Sequence, residues 1–283
     1  MDEETQPEMT QGNPPPSGSW HIMKPHTISE IPKHHLTCQN NAMNRLYLLL
    51  LVALSATTSA SELEITGSHW PPYVTQQLYK NGVAVVLTEE ALIRAGYKPI
   101  TTIESWPESL EATADGTYDV ITGVWLTDER AEQLEFSEPF LNNYIVFVTR
   151  DDNYIEFNER DDLKGLRIGV VKDYAYRNEP YDTTGINISA AGSARENIQH
   201  LLAGELDLVL ADSRVALFEI DQLIAGKQLS IIRKPLVTRG LRIAVAKTHP
   251  DAKKIVADFD ASIAAMKLDG SYNAILATFR ITD

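Results

Sequence analysis

The sequence predicts an α/β fold in two successive lobes, and three observations carry that prediction. Short apolar, β-branched runs alternate with segments of helical period. The alternation breaks at the polar stretch from Asp151 to Asp162 and then begins again. Helix-start signals follow strand-like runs, as at Ser105-Trp106-Pro107-Glu108, which is what crossovers between parallel strands require.

Leu63-Glu64-Ile65-Thr66 alternates as a first strand and ends at Gly67. Val83, Val86, Leu87 and Ala91 recur at helical spacing, and Gly96 stops that helix. Lys98 to Ile103 reads as a second strand. Ser105 and Glu108 form a capping box, with proline in the first turn of the helix they open. Asp119-Val120-Ile121-Thr122 is a third strand, ending at Gly123. After Arg150 the pattern restarts with the strand Leu166 to Val171. Ser193 and Glu196 make a second capping box before a helix whose apolar face is Ala194, Ile198, Leu201 and Leu202. Gly204 ends it ahead of the strand Leu206 to Leu210. Asp212 opens a helix to about Ala225, and Leu229 to Ile232 is a further strand. Asn143 to Thr149 and Leu241 to Ala246 are similar apolar strands flanked by polar turns. Two helices follow, Asp251 to Leu268 and Ser271 to Phe279.

The chain of 283 residues carries a net charge of −14. That balance excludes the basic stripe of a nucleic-acid binder and suits a soluble, secreted protein. Residues 1–42 have no sustained apolar period and are expected to be disordered. Met43-Asn44-Arg45, the apolar run Leu46 to Leu54 and the small, polar run Ser55 to Ser61 read as a secretory signal peptide over 43–60. The apolar run is about half of what spans a bilayer. Met43 is therefore expected to be the true start, with 1–42 an extension that is not translated. The single cysteine, Cys38, lies in that extension, which leaves no disulfide or thiol chemistry for the rest. His69, His200 and His249 show no metal-ligand spacing, and neither a dinucleotide nor a phosphate loop occurs. No metal and no cofactor is expected.

One block is more informative than the rest: Gly123-Val124-Trp125-Leu126-Thr127-Asp128-Glu129-Arg130, followed by Phe136-Ser137-Glu138-Pro139-Phe140. Thr127 can cap a short helical turn that holds Arg130 at the mouth of a strand, where a guanidinium can clamp a carboxylate with two parallel hydrogen bonds. Spacing alone equally allows a surface arginine in a local ion pair. The block resembles the T-x-x-R…F-S-x-P-[YF] signature of the extracytoplasmic amino-acid-binding proteins of ABC importers, solute-binding protein family 3. His69-Trp70-Pro71-Pro72-Tyr73 is similar to that family's aromatic, proline-rich first loop, and Leu201 to Asp212 is similar to its L-x-x-G-x-x-D segment. The resemblance implies a two-lobed periplasmic-binding-protein-like fold of type II, with two doubly wound sheets joined by two crossing segments. It implies lobe 1 as 61–148 plus 241–283 and lobe 2 as 149–240. It also implies ligand contacts at Trp70, Tyr73, Gly123, Trp125, Arg130, Asp173, Tyr174 and Asp212, with Arg130 on the ligand carboxylate and Asp212 on its α-ammonium. An aspartate after a strand is also an ordinary helix N-cap, and Trp70 can equally be a core or rim aromatic.

Departures from the pattern bear on the ligand. Gly123 and Trp125 stand where the family commonly carries small or hydroxyl residues, Asp173-Tyr174-Ala175 replaces a Gly-Thr or Gly-Ser loop, and Asn81-Gly82-Val83-Ala84 lacks a glycine-rich lead-in. The expectation is thus an exported, monomeric, non-enzymatic binding protein of the periplasm. It would close around a small carboxylated solute, an amino acid or related compound, and deliver it to an ABC permease of the inner membrane. The alternatives are a cyclohexadienyl-dehydratase-like enzyme on the same scaffold and a ligand-sensing receptor subunit.

Overall fold

The computed structural model describes residues 60–172, 174–175 and 185–281. The expected extension, all but the last residue of the expected signal peptide, and Asp173 therefore lie outside the described residues. No helix among the described residues is long and apolar enough to cross a membrane.

The first half opens with β1 (Ser61–Ser68), α1 (Val83–Arg94), β2 (Tyr97–Glu104), α2 (Trp106–Ala114) and β3 (Val120–Trp125). A short α3 (Asp128–Gln133) leads into β4 (Leu134–Phe136) and the long β5 (Leu141–Arg150). The second half holds β6 (Arg167–Val171), β7 (Asn187–Ala191), α4 (Ala194–Leu202), β8 (Leu208–Asp212), α5 (Ser213–Asp221) and β9 (Leu229–Ile231). The chain returns through β10 (Val237–Ala246) and closes with α6 (Ala252–Asp269) and α7 (Ser271–Thr278).

In the first half β1 lies between β2 and β3, all parallel. In the second, β6 lies between β7 and β8, again all parallel. The long strands β5 and β10 join them: Leu141 to Ile145 pair antiparallel with Val237 to Leu241, β10 runs on beside β3 and β4, and β5 runs on beside β8 and β9. The two sheets are therefore one hydrogen-bonded path in the order β2-β1-β3-β10-β5-β8-β6-β7. The joint is the β5–β10 ribbon, formed by the two strands singled out in the sequence as alike.

Packing follows the apolar periods. Val83, Leu87 and Ala91 of α1 and Ile255, Phe259 and Ile263 of α6 are buried in the core of the first half. Full burial of a side chain such as Phe259 contributes roughly 1.5–3 kcal/mol. Phe259 meets Phe140 edge-on at 5.6 Å, and the buried Tyr272 hydroxyl donates to Phe140 O at 2.7 Å. The C-terminal helices are thereby fastened to the start of β5. In the second half Ile198 and Leu201 of α4 pack with Val209, Ala211 and Ala216.

Four sequence expectations are corrected. The third strand does not end at Gly123: that glycine takes φ +77° and the strand runs on to Trp125, with a register shift opposite Arg242 and Ile243. Strand β7 has no counterpart among the expected elements, because an edge strand that is almost wholly exposed shows no apolar alternation. Ser193 caps α4 by accepting from Glu196 N at 3.2 Å, but the Glu196 carboxylate takes Gly192 N instead, so the box is not closed. Helix α5 stops at Asp221 rather than near Ala225.

Candidate functional site

Five of the six parallel strands end at one cavity of about 570 Å³, and the helix after the sixth, β8, borders it. Its wall is built from the loops after β1 (Ser68 to Pro71), β2 (Glu104 to Pro107) and β3 (Gly123, Trp125, Arg130). The other side comes from the loops after β6 (Val171, Lys172, Tyr174, Ala175) and β7 (Gly192 to Arg195) and from α5 (Val215, Glu219). Beyond the carboxyl ends of such strands is where doubly wound sheets bind ligands, and the volume is that of a small-molecule site.

The first loop is held by backbone. Trp70 N donates to Val74 O at 2.7 Å and Tyr73 N to Trp70 O at 2.9 Å, closing a tight turn. Val83 N and Ala84 N, free donors at the start of α1, bond to Pro72 O and Tyr73 O at 3.2 and 2.9 Å. Gly82 makes this approach possible: it has φ +101°, and a Cβ there would sit 2.5 Å from Tyr73 O. A single glycine thus does what the glycine-poor lead-in left in doubt.

The turn presents Trp70 to the cavity and sinks Tyr73 beneath it, with ring centroids 4.8 Å apart. Trp70 meets Trp125 edge-on at 5.4 Å, and Tyr174 from the other side meets both at 5.9 Å. Edge-to-face pairs of this kind contribute about 0.5–1.5 kcal/mol each beyond burial. The Trp70 indole nitrogen is buried with no acceptor among the described residues.

Thr127 caps α3, its hydroxyl accepting from Arg130 N at 3.2 Å. Arg130 folds back so that Nη1 donates to Trp125 O at 2.8 Å and its guanidinium carbon lies 4.7 Å from the centre of the Trp106 ring. Half-buried, its cation is disfavoured mainly by lost solvation, which a neighbouring Glu129 partly offsets. The other N–H groups of this guanidinium have no protein acceptor among the described residues. Such a group binds an incoming anion well: the fork is fixed and its water is already partly stripped.

Asp212 is differently placed. It does not line the cavity and is 1% exposed. Its Oδ1 accepts from Tyr73 OH at 2.8 Å and from Arg214 N and Val215 N at 3.0 Å; its Oδ2 accepts from Asn143 Nδ2 at 3.1 Å. Asn143 Oδ1 in turn accepts from the Trp125 indole at 2.9 Å. Burial pushes the Asp212 carboxyl above its ordinary range, against these hydrogen bonds, which pull it down. Burial, then the Asp212 charge, pushes the Tyr73 phenol well up.

Of the residues singled out in the sequence, Trp70, Gly123, Trp125, Arg130 and Tyr174 meet around the cavity. Tyr73 and Asp212 meet each other below it, and Asp173 lies outside the described residues. Sequence reasoning missed Trp106, Lys172, Arg195 and Glu219. Trp106 follows β2 directly, a strand end that was not inspected, and Arg195 follows β7. Arg195 and Glu219 form an ion pair at 2.7 Å with Glu219 almost fully buried, off the line of a hydrogen bond. Asp207, inside the Leu201 to Asp212 segment, accepts from Arg167 Nη2 and Nε at 2.7 and 3.0 Å. Among the described residues no three His, Cys, Asp or Glu side chains converge as a metal set.

The family of bacterial extracellular solute-binding proteins, family 3, matches residues 65–281. The chain is 30% identical over 165 residues to the ABC transporter arginine-binding protein 1 of Escherichia coli, covering 56% of this chain and 64% of that protein. It is 25% identical over 185 residues to the L-cystine-binding protein TcyJ of the same organism, covering 65% of this chain and 66% of that one. The match thus spans just under two thirds of each relative. Among solved structures, an ancestral arginine-binding protein bound to arginine superimposes with a TM-score of 0.66 at 22% identity, over 79% of this chain and all of that one. A histidine kinase sensor domain similar to periplasmic binding proteins does so with 0.66 at 20%, over 78% and 97%. At these identities the structural likenesses establish the fold.

Proposed function

The chain belongs to the bacterial extracellular solute-binding proteins, family 3, and from that premise we propose that it captures a small carboxylated solute outside the cytoplasm and hands it to an ABC-type permease. Lobe 1 would be 61–148 with 241–283 and lobe 2 149–240, closing about the β5–β10 ribbon by a hinge motion. Export would rely on the leader at 43–60, with the periplasm as destination and a monomer as the working form. Relatives are named as arginine- and cystine-binding proteins, one of them of an ABC transporter, which supports solute binding.

One observation carries the choice of a carboxylate. Arg130 lines a cavity bordered by both halves, with one backbone acceptor and one aromatic ring as its partners. Truncating one member of a buried charged pair costs roughly 2–5 kcal/mol, so Arg130→Ala should weaken the binding of any carboxylate ligand at least ~30-fold. Calorimetry on ligands found by a thermal-shift screen of amino acids, other carboxylates and amines tests this. Affinity unchanged in Arg130→Ala, or a screen answered by amines alone, would end the carboxylate reading.

A further inference from the structure

Both acids that line the cavity among the described residues already have a partner. Among the described residues, Glu219 is held by Arg195 at 2.7 Å and Glu104 accepts from Tyr118 OH at 3.1 Å. Asp212, which does not line the cavity, accepts four hydrogen bonds, one of them from Tyr73 OH, whose ring packs on Trp70 at 4.8 Å; the Arg214 charge acts on the same carboxylate. The donors are not taken. Arg130 has N–H groups to spare, Lys172 borders the cavity with no acceptor among the described residues, and the Trp70 indole N–H is buried without one. A ligand that completes this site brings acceptors and negative charge. A ligand that brings an ammonium finds no unpaired carboxylate among the described lining residues, and a buried charge without a counter-charge is costly. The space beside the donors is walled by the faces and edges of Trp70, Trp106, Trp125 and Tyr174, which favour a planar apolar body.

We propose that Tyr73 is a specificity-determining residue: by occupying Asp212 it closes the site to solutes with an ammonium beside their carboxylate and selects aromatic carboxylates that lack one. The inference rests on the carboxylate clamp proposed above and deepens it. Tyr73 acts through the acid it covers. Without its hydroxyl, Asp212 loses one donor while remaining held by two helix N–H groups, Asn143 and the charge of Arg214, and the ammonium of a solute competes to replace the lost donor.

The test is calorimetry at neutral pH on the purified protein with three matched pairs: phenylalanine and 3-phenylpropanoate, tryptophan and indole-3-propanoate, arginine and 5-guanidinopentanoate. In the wild type, the aromatic acid without the amine should bind at least ~10-fold more tightly than its amino acid, the penalty of an unpaired buried charge. Tyr73→Phe should narrow that ratio at least ~3-fold, mainly by improving the amino acid. A wild type that prefers the amino acid, or that takes only the arginine pair, overturns the inference. So does a folded Tyr73→Phe variant whose ratio is unchanged; if that variant melts without a cooperative transition, the wild-type ratio alone decides. Arg130→Ala separates the two readings. An amino-acid preference that still depends on Arg130 sinks the role of Tyr73 and leaves the clamp standing. Binding of no carboxylate, or binding indifferent to Arg130, removes both.

Discussion

Replacing Asp212 by alanine probes a buried polar network at the end of β8. The substitution removes the cap of α5, which costs about 1 kcal/mol. It also leaves Tyr73 OH and Asn143 Nδ2 buried without their acceptor, at about 1–3 kcal/mol each. Against this stands a gain: the ionised carboxylate is itself disfavoured by burial, as the upward shift of its pKa records, so its removal returns part of that cost. The net expectation is a loss of about 3 kcal/mol, or roughly 6–12 °C in melting temperature for a chain of this size. Thermal unfolding followed by circular dichroism, with and without the substitution, reads it directly. The pH dependence carries the sharper test. A folded-state pKa above the unfolded value means that the native state holds the proton more tightly. The contribution of this group is then full below the unfolded pKa and declines as pH rises through the folded one. The destabilisation by Asp212→Ala should therefore grow as the solution is acidified from pH 7 toward pH 4. A shift below ~2 °C, or a penalty that fades on acidification, would mean that Asp212 is an ordinary exposed cap and that the network around Tyr73 is not formed.

Asp207 should behave in the opposite sense. Its carboxyl is held below the ordinary range, chiefly by the hydrogen bond from Arg167, so its contribution is present above the unfolded pKa and lost as pH falls through the folded one. The cost of Asp207→Asn, measured by urea unfolding, should be largest near pH 7 and shrink below about pH 4. Gly82→Ala should cost about 3 kcal/mol or more, since the backbone is left-handed and the new methyl meets Tyr73 O; a melting temperature within ~2 °C of wild type would show that the loop relaxes freely. Trp106→Leu removes the ring under Arg130 and should weaken carboxylate binding about 2–10-fold with little change in stability; an unchanged dissociation constant would remove Trp106 from the clamp.

What could be read from the sequence was local. The Ser105 box is present with Glu108 returning to Ser105 N at 3.3 Å, because all its members lie within one turn. Arg130 was legible for the same reason: the cap that fixes it, Thr127, is three residues away. The apolar periods of α1 and α4 pointed to buried residues (Val83, Leu87 and Ala91; Ala194, Ile198 and Leu201), with Val86 and Leu202 only partly buried, since burial against a neighbour is what generates the period. Strand β7 escaped because an exposed edge strand owes its existence to backbone pairing with β6, which leaves no mark on side-chain pattern. With it went Arg195, which stands just past its end.

Asp212 shows where local reading stops. Its role as a cap was visible, since the two N–H groups it takes belong to the next three residues. Its availability to a ligand was not, because that depends on Tyr73 and Asn143, 139 and 69 positions away. A hydrogen bond across such a separation needs no periodicity and no spacing rule. It needs Gly82 to let the Tyr73 loop settle on α1, and it needs β5 to carry Asn143 between Trp125 and Asp212. The motif residue is thus present in the sequence while the chemistry expected of it is governed by a phenol from the other half of the sheet. If that phenol decides which solutes enter, the substitutions that retune this protein will be found at position 73 and its support at 82 before they are found at Arg130, whose partner is common to every carboxylate.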